Sequence, residues 1–193
     1  MLSNLAGIDL THLQNTEQLD DMDRYRWELA EEELQSWQIH VEEGPKTIGQ
    51  IEDVARAHLG PAPSGLLVVD FLQRIRADNM SATRLQHMTL CSSRLTDLAR
   101  ELHVPVLCVA SFSRDSVKRA TAPRMDDIRD SGDIESDADT VMLMWAPQSE
   151  RPDDIELIVD KNRYGSVQSI HLQKQGHRAR LVCQARPSPG WAA

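Results

Sequence analysis

Aromatic residues make up only 4% of this 193-residue chain. No apolar run approaches the ~20 residues of a membrane-spanning helix. The start, Met1 to Asp9, has no basic stretch ahead of its apolar residues, so it does not read as a secretory signal. Cysteine is scarce: Cys91, Cys108 and Cys183 are odd in number, widely spaced and free of any Cys-x-x-Cys pattern. Each sits in an apolar setting, which points to buried, reduced thiols and a reducing, cytoplasmic compartment. Excess positive charge is also missing. The formal net charge of −9 argues against a broad basic face for duplex DNA. It leaves room for a narrow channel in which a few arginines and backbone amides grip a single strand.

The most consequential absence is G-x-x-x-x-G-K-[ST], the loop whose amides and lysine cradle nucleotide phosphates. Two segments come near it. Gly60-Pro61-Ala62-Pro63-Ser64-Gly65 has the glycine spacing, but Leu66-Leu67 follows, and two prolines remove amide donors. Gly44-Pro45-Lys46-Thr47 has a Lys-Thr pair, but Pro45 interrupts it and Ile39 stands where the first glycine belongs. Thr47 reads better as a helix N-cap, with Gln50 completing a capping box. Neither segment is a phosphate site.

What is present begins with Leu66-Leu67-Val68-Val69-Asp70-Phe71-Leu72-Gln73. A short unalternated apolar run reads as a buried parallel strand. An aspartate at its carboxyl end lies where open α/β sheets bind ligands. In P-loop nucleotide hydrolases such an aspartate holds Mg²⁺. Alone, Asp70 reads more readily as a strand that simply ends in a polar residue. Helices are expected over residues 1–6 (the tail of one, stopped at Gly7), Asp20–Trp37, Thr47–Leu59 and Arg84–Leu102. Further strands are expected over Gln38–Val41, Val104–Ala110, Thr140–Trp145, Ile155–Asp160, Val167–Leu172 and Arg180–Cys183. Alternating buried strands and helices imply a parallel α/β sheet, and the short turns at Gly165 and Gly176 imply an antiparallel extension. A chain opening on a helix end suggests missing preceding sequence, and residues 186–193 are expected to be a disordered tail.

Three more segments could carry chemistry. Ser111 follows the second apolar strand and would face the same crevice as Asp70. Residues 126–139 are densely acidic, which normally means a solvated loop. Arg129 and Gly132 lie within it, and such a pair can hold a phosphate of a single strand. Lys161 and Arg163 are two apart at a strand end and point the same way. They suit a γ-phosphate, although without context a basic hairpin turn at the surface is the better reading.

These segments, in this order, resemble the carboxyl-terminal RecA-like motor domain of DnaB-type replicative DNA helicases, from Met1 to about Leu181. The run ending in Asp70 resembles that family's Walker B strand. Leu98-Ala99-Arg100-Glu101-Leu102-His103-Val104-Pro105-Val106 is similar to its helix-to-strand join. Ile128-Arg129-Asp130-Ser131-Gly132-Asp133-Ile134-Glu135-Ser136-Asp137-Ala138-Asp139 resembles its channel loop, and Lys161-Asn162-Arg163-Tyr164-Gly165 its Lys-x-Arg-x-Gly. The resemblance implies a mostly parallel RecA-like P-loop NTPase sheet over residues 1–185, with an antiparallel carboxyl-terminal extension. It implies Mg²⁺ and ATP at Asp70, with Ser111 in the nucleotide-sensing place. It implies single-stranded DNA contacts at Arg129, Asp130 and Gly132. It also implies trans-acting Lys161 and Arg163 that reach a neighbour's ATP in a hexameric ring unwinding DNA 5′ to 3′, with no role for a membrane.

The departures are the Walker A strand and loop, the catalytic glutamate and the primase-binding amino-terminal domain, all lacking here. A serine, Ser111, stands where the family has glutamine. Two functions follow as expectations: the distal part of an ATP-driven replicative helicase, or a catalytically inactive module that docks on an intact helicase subunit and modulates its ATPase.

Overall fold

The computed structural model describes residues 1–60, 65–78, 82–119, 121–128, 134–147 and 152–183. The chain divides into two compact units: Met1–Ile39 with Met144–Ile158 and Ser169–Ala193, and His40–Leu143 with Val159–Gln168.

The first unit opens on α1 (Leu2–Ala6), which stops where Gly7 takes the left-handed conformation, φ 67°. That conformation favours glycine because it lacks a Cβ. The buried Ser3 hydroxyl donates to the Ile8 carbonyl at 2.6 Å and closes this turn. A short α2 (Leu10–Gln14) follows, then α3 (Asp21–Ser36), whose N-cap Asp20 accepts the Asp23 amide at 2.7 Å. Ala6, Ile8, Leu19 and Ala30 form this unit's buried cluster, with Trp27 against it.

The second unit is built on α4 (Ile48–Leu59), β1 (Leu67–Val69), α5 (Arg84–Leu102) and β2 (Val106–Cys108). Both long helices begin with full capping boxes, Thr47 with Gln50 and Thr83 with Gln86. Gly60 ends α4. β1 and β2 pair in parallel, Leu67 opposite Val106 and Val69 opposite Cys108. Leu67, Val69, Val106 and Cys108 turn one face onto Ile48 of α4 and Met88, Cys91 and Leu95 of α5. Between the helices, Glu52 takes a bidentate pair from Arg94, both contacts 2.6 Å, and Arg56 clasps Glu101 at 2.7 and 2.9 Å.

The remaining elements are α6 (Arg114–Val117), α7 (Ile134–Asp137), β3 (Thr140–Trp145), β4 (Asp154–Asn162), β5 (Gln168–Gln175) and β6 (Arg180–Cys183). The last four strands form a sheet in chain order, with β5 and β6 antiparallel. The α/β class and the parallel-plus-antiparallel division therefore match the sequence reading.

Two expectations need correction. Gln38–Val41 is not a strand. A strand requires a ladder partner, and here the nearest β-type pairing is the single parallel bridge of Thr47 to Arg76, with the Arg76 amide donating to Lys46 at 2.8 Å. Ile39 and Val41 are exposed accordingly. The strands carrying Asp70 and Ser111 are also not buried on both faces. α4 and α5 cover the same side, so Val68 and Leu107 face outward, 52% and 44% exposed. The predicted tail, residues 186–193, lies outside the described residues.

Candidate functional site

Parallel pairing brings the carboxyl ends of β1 and β2 together, and with them Asp70 and Ser111. The Val109 amide donates to the Val69 carbonyl at 2.9 Å, and the Leu72 amide returns to the Val109 carbonyl at 2.8 Å. Beyond that point the link passes to a side chain. The Ser111 amide donates to Gln73 Oε1 at 3.1 Å, while Gln73 Nε2 donates to the Ser111 carbonyl at 3.5 Å. Asp70 is exposed at the mouth.

A cavity of about 270 Å³ opens beside Asp70, lined by Leu67, Val69, Phe71 and Arg74 from the strand side and by Glu42, Gly44 and Lys46 before α4. One of the two near-matches to a phosphate loop, Gly44 to Thr47, thus borders the cavity. Its lysine is committed elsewhere: Lys46 Nζ lies 2.8 Å from Glu42. That hydrogen bond, with a second from His40 at 2.9 Å, holds the Glu42 carboxyl down to about 2. The other near-match, residues 60–65, falls largely outside the described residues.

The strand exit after Ser111 connects to a second cluster. The Ser113 amide donates to the Asp127 carbonyl at 2.8 Å, and Phe112 forms an antiparallel bridge with Ile128. Buried Asp127 accepts the Arg124 amide at 2.9 Å and pairs with Arg119. The Met125 amide donates to Asp160 at 2.9 Å. The segment entering residues 129–133 is therefore pinned to both the β2 exit and β4. Arg129, Asp130 and Gly132, the expected DNA contacts, lie outside the described residues.

Lys161 lies near the end of β4 and Arg163 in the turn after it, and both meet acceptors within residues 135–139 of their own chain. Lys161 Nζ donates to the Glu135 carbonyl at 2.5 Å. Arg163 Nη1 lies 2.8 Å from Asp139 Oδ1, Nη2 donates to the Ser136 carbonyl at 3.3 Å, and the Arg163 amide donates to the Asp139 carbonyl at 2.8 Å. The turn beyond is tight: a Cβ on Gly165 would stand 2.6 Å from Asn162 Nδ2. Gln73 and Asp139 are the site residues that sequence reasoning missed. Their partners are 38 and 24 positions away, and nothing in local pattern announces either contact.

Among the described residues no group of three or more His, Cys, Asp or Glu side chains forms a metal cluster. Mg²⁺ in nucleotide sites is commonly held by one or two carboxylates, with water and phosphate completing the sphere. The exposed carboxylate of Asp70 at the mouth fits that share. No helix among the described residues is long and apolar enough to cross a membrane.

The family model for the DnaB-like helicase C terminal domain matches residues 1–182. The chain is 31% identical over 182 residues to "Replicative DNA helicase DnaB" of Treponema pallidum (strain Nichols), covering 93% of this chain and 40% of that protein. It is 33% identical over 180 residues to the protein of the same name from Geobacillus stearothermophilus, covering 89% of this chain and 39% of that one. The chain thus spans about two fifths of the length of these curated relatives. Among solved structures, that of a DnaB-like replicative helicase, described with its interactions with primase, superposes with a TM-score of 0.85 at 22% identity, over 94% of this chain and 47% of that one.

Proposed function

The chain belongs to the DnaB-like helicase C-terminal domain family, and from that premise we propose that it is the distal portion of an ATP-driven DNA helicase motor. In this reading Asp70 supplies the carboxylate for Mg²⁺ and Ser111 occupies the nucleotide-sensing place. Arg129, Asp130 and Gly132 hold the backbone of single-stranded DNA. Lys161 and Arg163 address ATP bound by an adjacent subunit. The observation that carries it is a path of hydrogen bonds, joined by two-residue steps of the chain, from Gln73 to Ser111, from Ser113 to Asp127 and from Met125 to Asp160. In this reading it links the nucleotide-side strand end, the approach to the DNA segment and β4, which leads into Lys161 and Arg163, within the second unit.

Bound Mg²⁺ would neutralise developing charge on the transferring phosphoryl group. The chain's own contribution is to hold one carboxylate, Asp70, at a fixed strand end. The phosphate-cradling amides and lysine would come from polypeptide outside these 193 residues, because no segment here has that pattern. The test is ATP hydrolysis with and without single-stranded DNA, across magnesium concentrations. The chain is assayed alone and combined with a polypeptide carrying a Walker A loop. DNA-stimulated turnover in the combination, lost in Asp70→Ala, is the expected result. A reconstituted mixture that never turns over ATP refutes the reading.

A second reading is favoured by one specific contrast. The chain carries Lys161 and Arg163 while G-x-x-x-x-G-K-[ST] is absent from its sequence. It would then dock on an intact helicase subunit and complete or modulate that subunit's ATP site. Adding the chain to the full-length Geobacillus stearothermophilus relative should change its ATPase rate, and Arg163→Ala should abolish the change. No effect at saturating chain rules this out.

A further inference from the structure

We infer that Asp139 is a positioning residue for Arg163, and that α7 with Asp139 carries Lys161 and Arg163 as one pair. The inference rests on the proposal that these two cations act on a neighbouring subunit's nucleotide.

Three contacts converge on Arg163 from the stretch 136–139: the Asp139 carboxylate, the Ser136 carbonyl and the Asp139 carbonyl. Lys161 meets the Glu135 carbonyl on the same short helix. Carbonyls in the last turn of a helix lack intrahelical partners and attract cations, so α7 offers a natural seat for both. The seating is partial. A guanidinium has five donors, and among the described residues two of them are engaged, by Asp139 and Ser136. The Arg163 and Asp139 side chains remain 43% and 54% exposed, so the fork stays presented to solvent.

A free arginine must lose rotamer freedom when it grips a phosphate. One already held at two donors and at its main-chain amide has lost much of it beforehand. Preorganisation of this kind is worth about 0.5–1.5 kcal/mol per side chain, or about 2–10-fold. Asp139 thus acts through Arg163 and touches no reacting atom itself.

The test combines two readouts on the full chain. In the first, increasing chain is added to the full-length Geobacillus stearothermophilus helicase and its ATPase rate is followed. Asp139→Ala should reduce the amplitude of the change about 2–10-fold while leaving the half-saturating concentration unaltered, and Asp139→Glu should recover part of it. In the second, NMR of the isolated chain follows the Arg163 guanidinium and amide protons. Asp139→Ala should shift the guanidinium signal and speed its exchange with solvent.

Unchanged amplitude in Asp139→Ala, where Arg163→Ala abolishes the effect, overturns the inference alone. Increased amplitude overturns it too, since Asp139 would then compete with the phosphate. An unmoved guanidinium signal overturns it independently of any ATPase assay. A wild-type chain without effect on the helicase overturns the trans-acting reading itself, and the positioning role with it.

Discussion

Gln73 and Ser111 stand 38 residues apart in sequence and face each other across the ends of two parallel strands, joined by the Gln73 side chain and the Ser111 backbone. Two hydrogen bonds replace the ladder where β1 and β2 diverge. The backbone of Ser111 is thereby fixed to the segment that follows Asp70.

Loss of this clasp should be measurable. Gln73→Leu removes both partners of the Ser111 backbone and should lower stability by about 1 kcal/mol, since each net hydrogen bond is worth about 0.5–1.5 kcal/mol and this site is partly solvated. Urea unfolding reads the change. Gln73→Glu keeps the acceptor for the Ser111 amide and should lose less. Equal losses for the two variants would mean that the amide bond to Ser111 contributes nothing.

The Glu52–Arg94 pair should dominate the cohesion of α4 with α5. Glu52 is 7% exposed, and its two oxygens each sit 2.6 Å from Arg94. Glu52→Ala should cost about 2 kcal/mol, below the ~3–5 kcal/mol of breaking a fully buried pair because Arg94 retains access to water. Arg94→Met keeps the packing stem but leaves the buried Glu52 carboxylate with only the longer Arg56 contact at 3.5 Å, so it should cost more. A double-mutant cycle with a coupling energy near zero would reject the pair as a source of stability.

Glu42 gives a pH signature. Lys46 and, secondarily, His40 hold its carboxyl down to about 2 from an ordinary 4.5. A depressed carboxyl contributes stability that is complete above its ordinary value and is lost as pH falls from about 4.5 toward 2. A ¹³C NMR titration of the Glu42 carboxyl should show its midpoint near the lower end of that window. Lys46→Met should raise it. An ordinary midpoint in the wild type would show that the Glu42–Lys46 contact does not persist in solution.

The thiols should separate sharply in reactivity. Burial pushes Cys91 up to about 11 and Cys108 up to about 12. Cys183 is exposed. At about pH 8, iodoacetamide should therefore label Cys183 first, with Cys91 and Cys108 labelled only on unfolding. Mass spectrometry of the native chain decides it. Rapid labelling of Cys91 would contradict the packing of α5 against β1 and β2.

The sequence by itself determined the elements whose causes are local. The Thr47–Gln50 capping box, the stop at Gly60, the 3.6-residue periodicity of α5 and the short apolar runs of β1, β2 and β3 all depend on residues a few positions apart. It also placed Asp70 and Ser111 at strand ends, because apolar runs that stop at a polar residue announce that position. The order of its segments carried the family. Tertiary structure decided what depends on partners distant in sequence. Gln38–Val41 has the composition of a strand but no ladder to join, and composition cannot report a missing neighbour. Val68 and Leu107 read as core residues, yet they face outward because both covering helices lie on the other side of the sheet. Lys161 and Arg163 stood out in the sequence by their spacing at a strand end. Only the fold set α7 and Asp139 in front of them, since a hydrogen bond between residues 24 positions apart is made by the path of the chain and leaves no periodic trace in it.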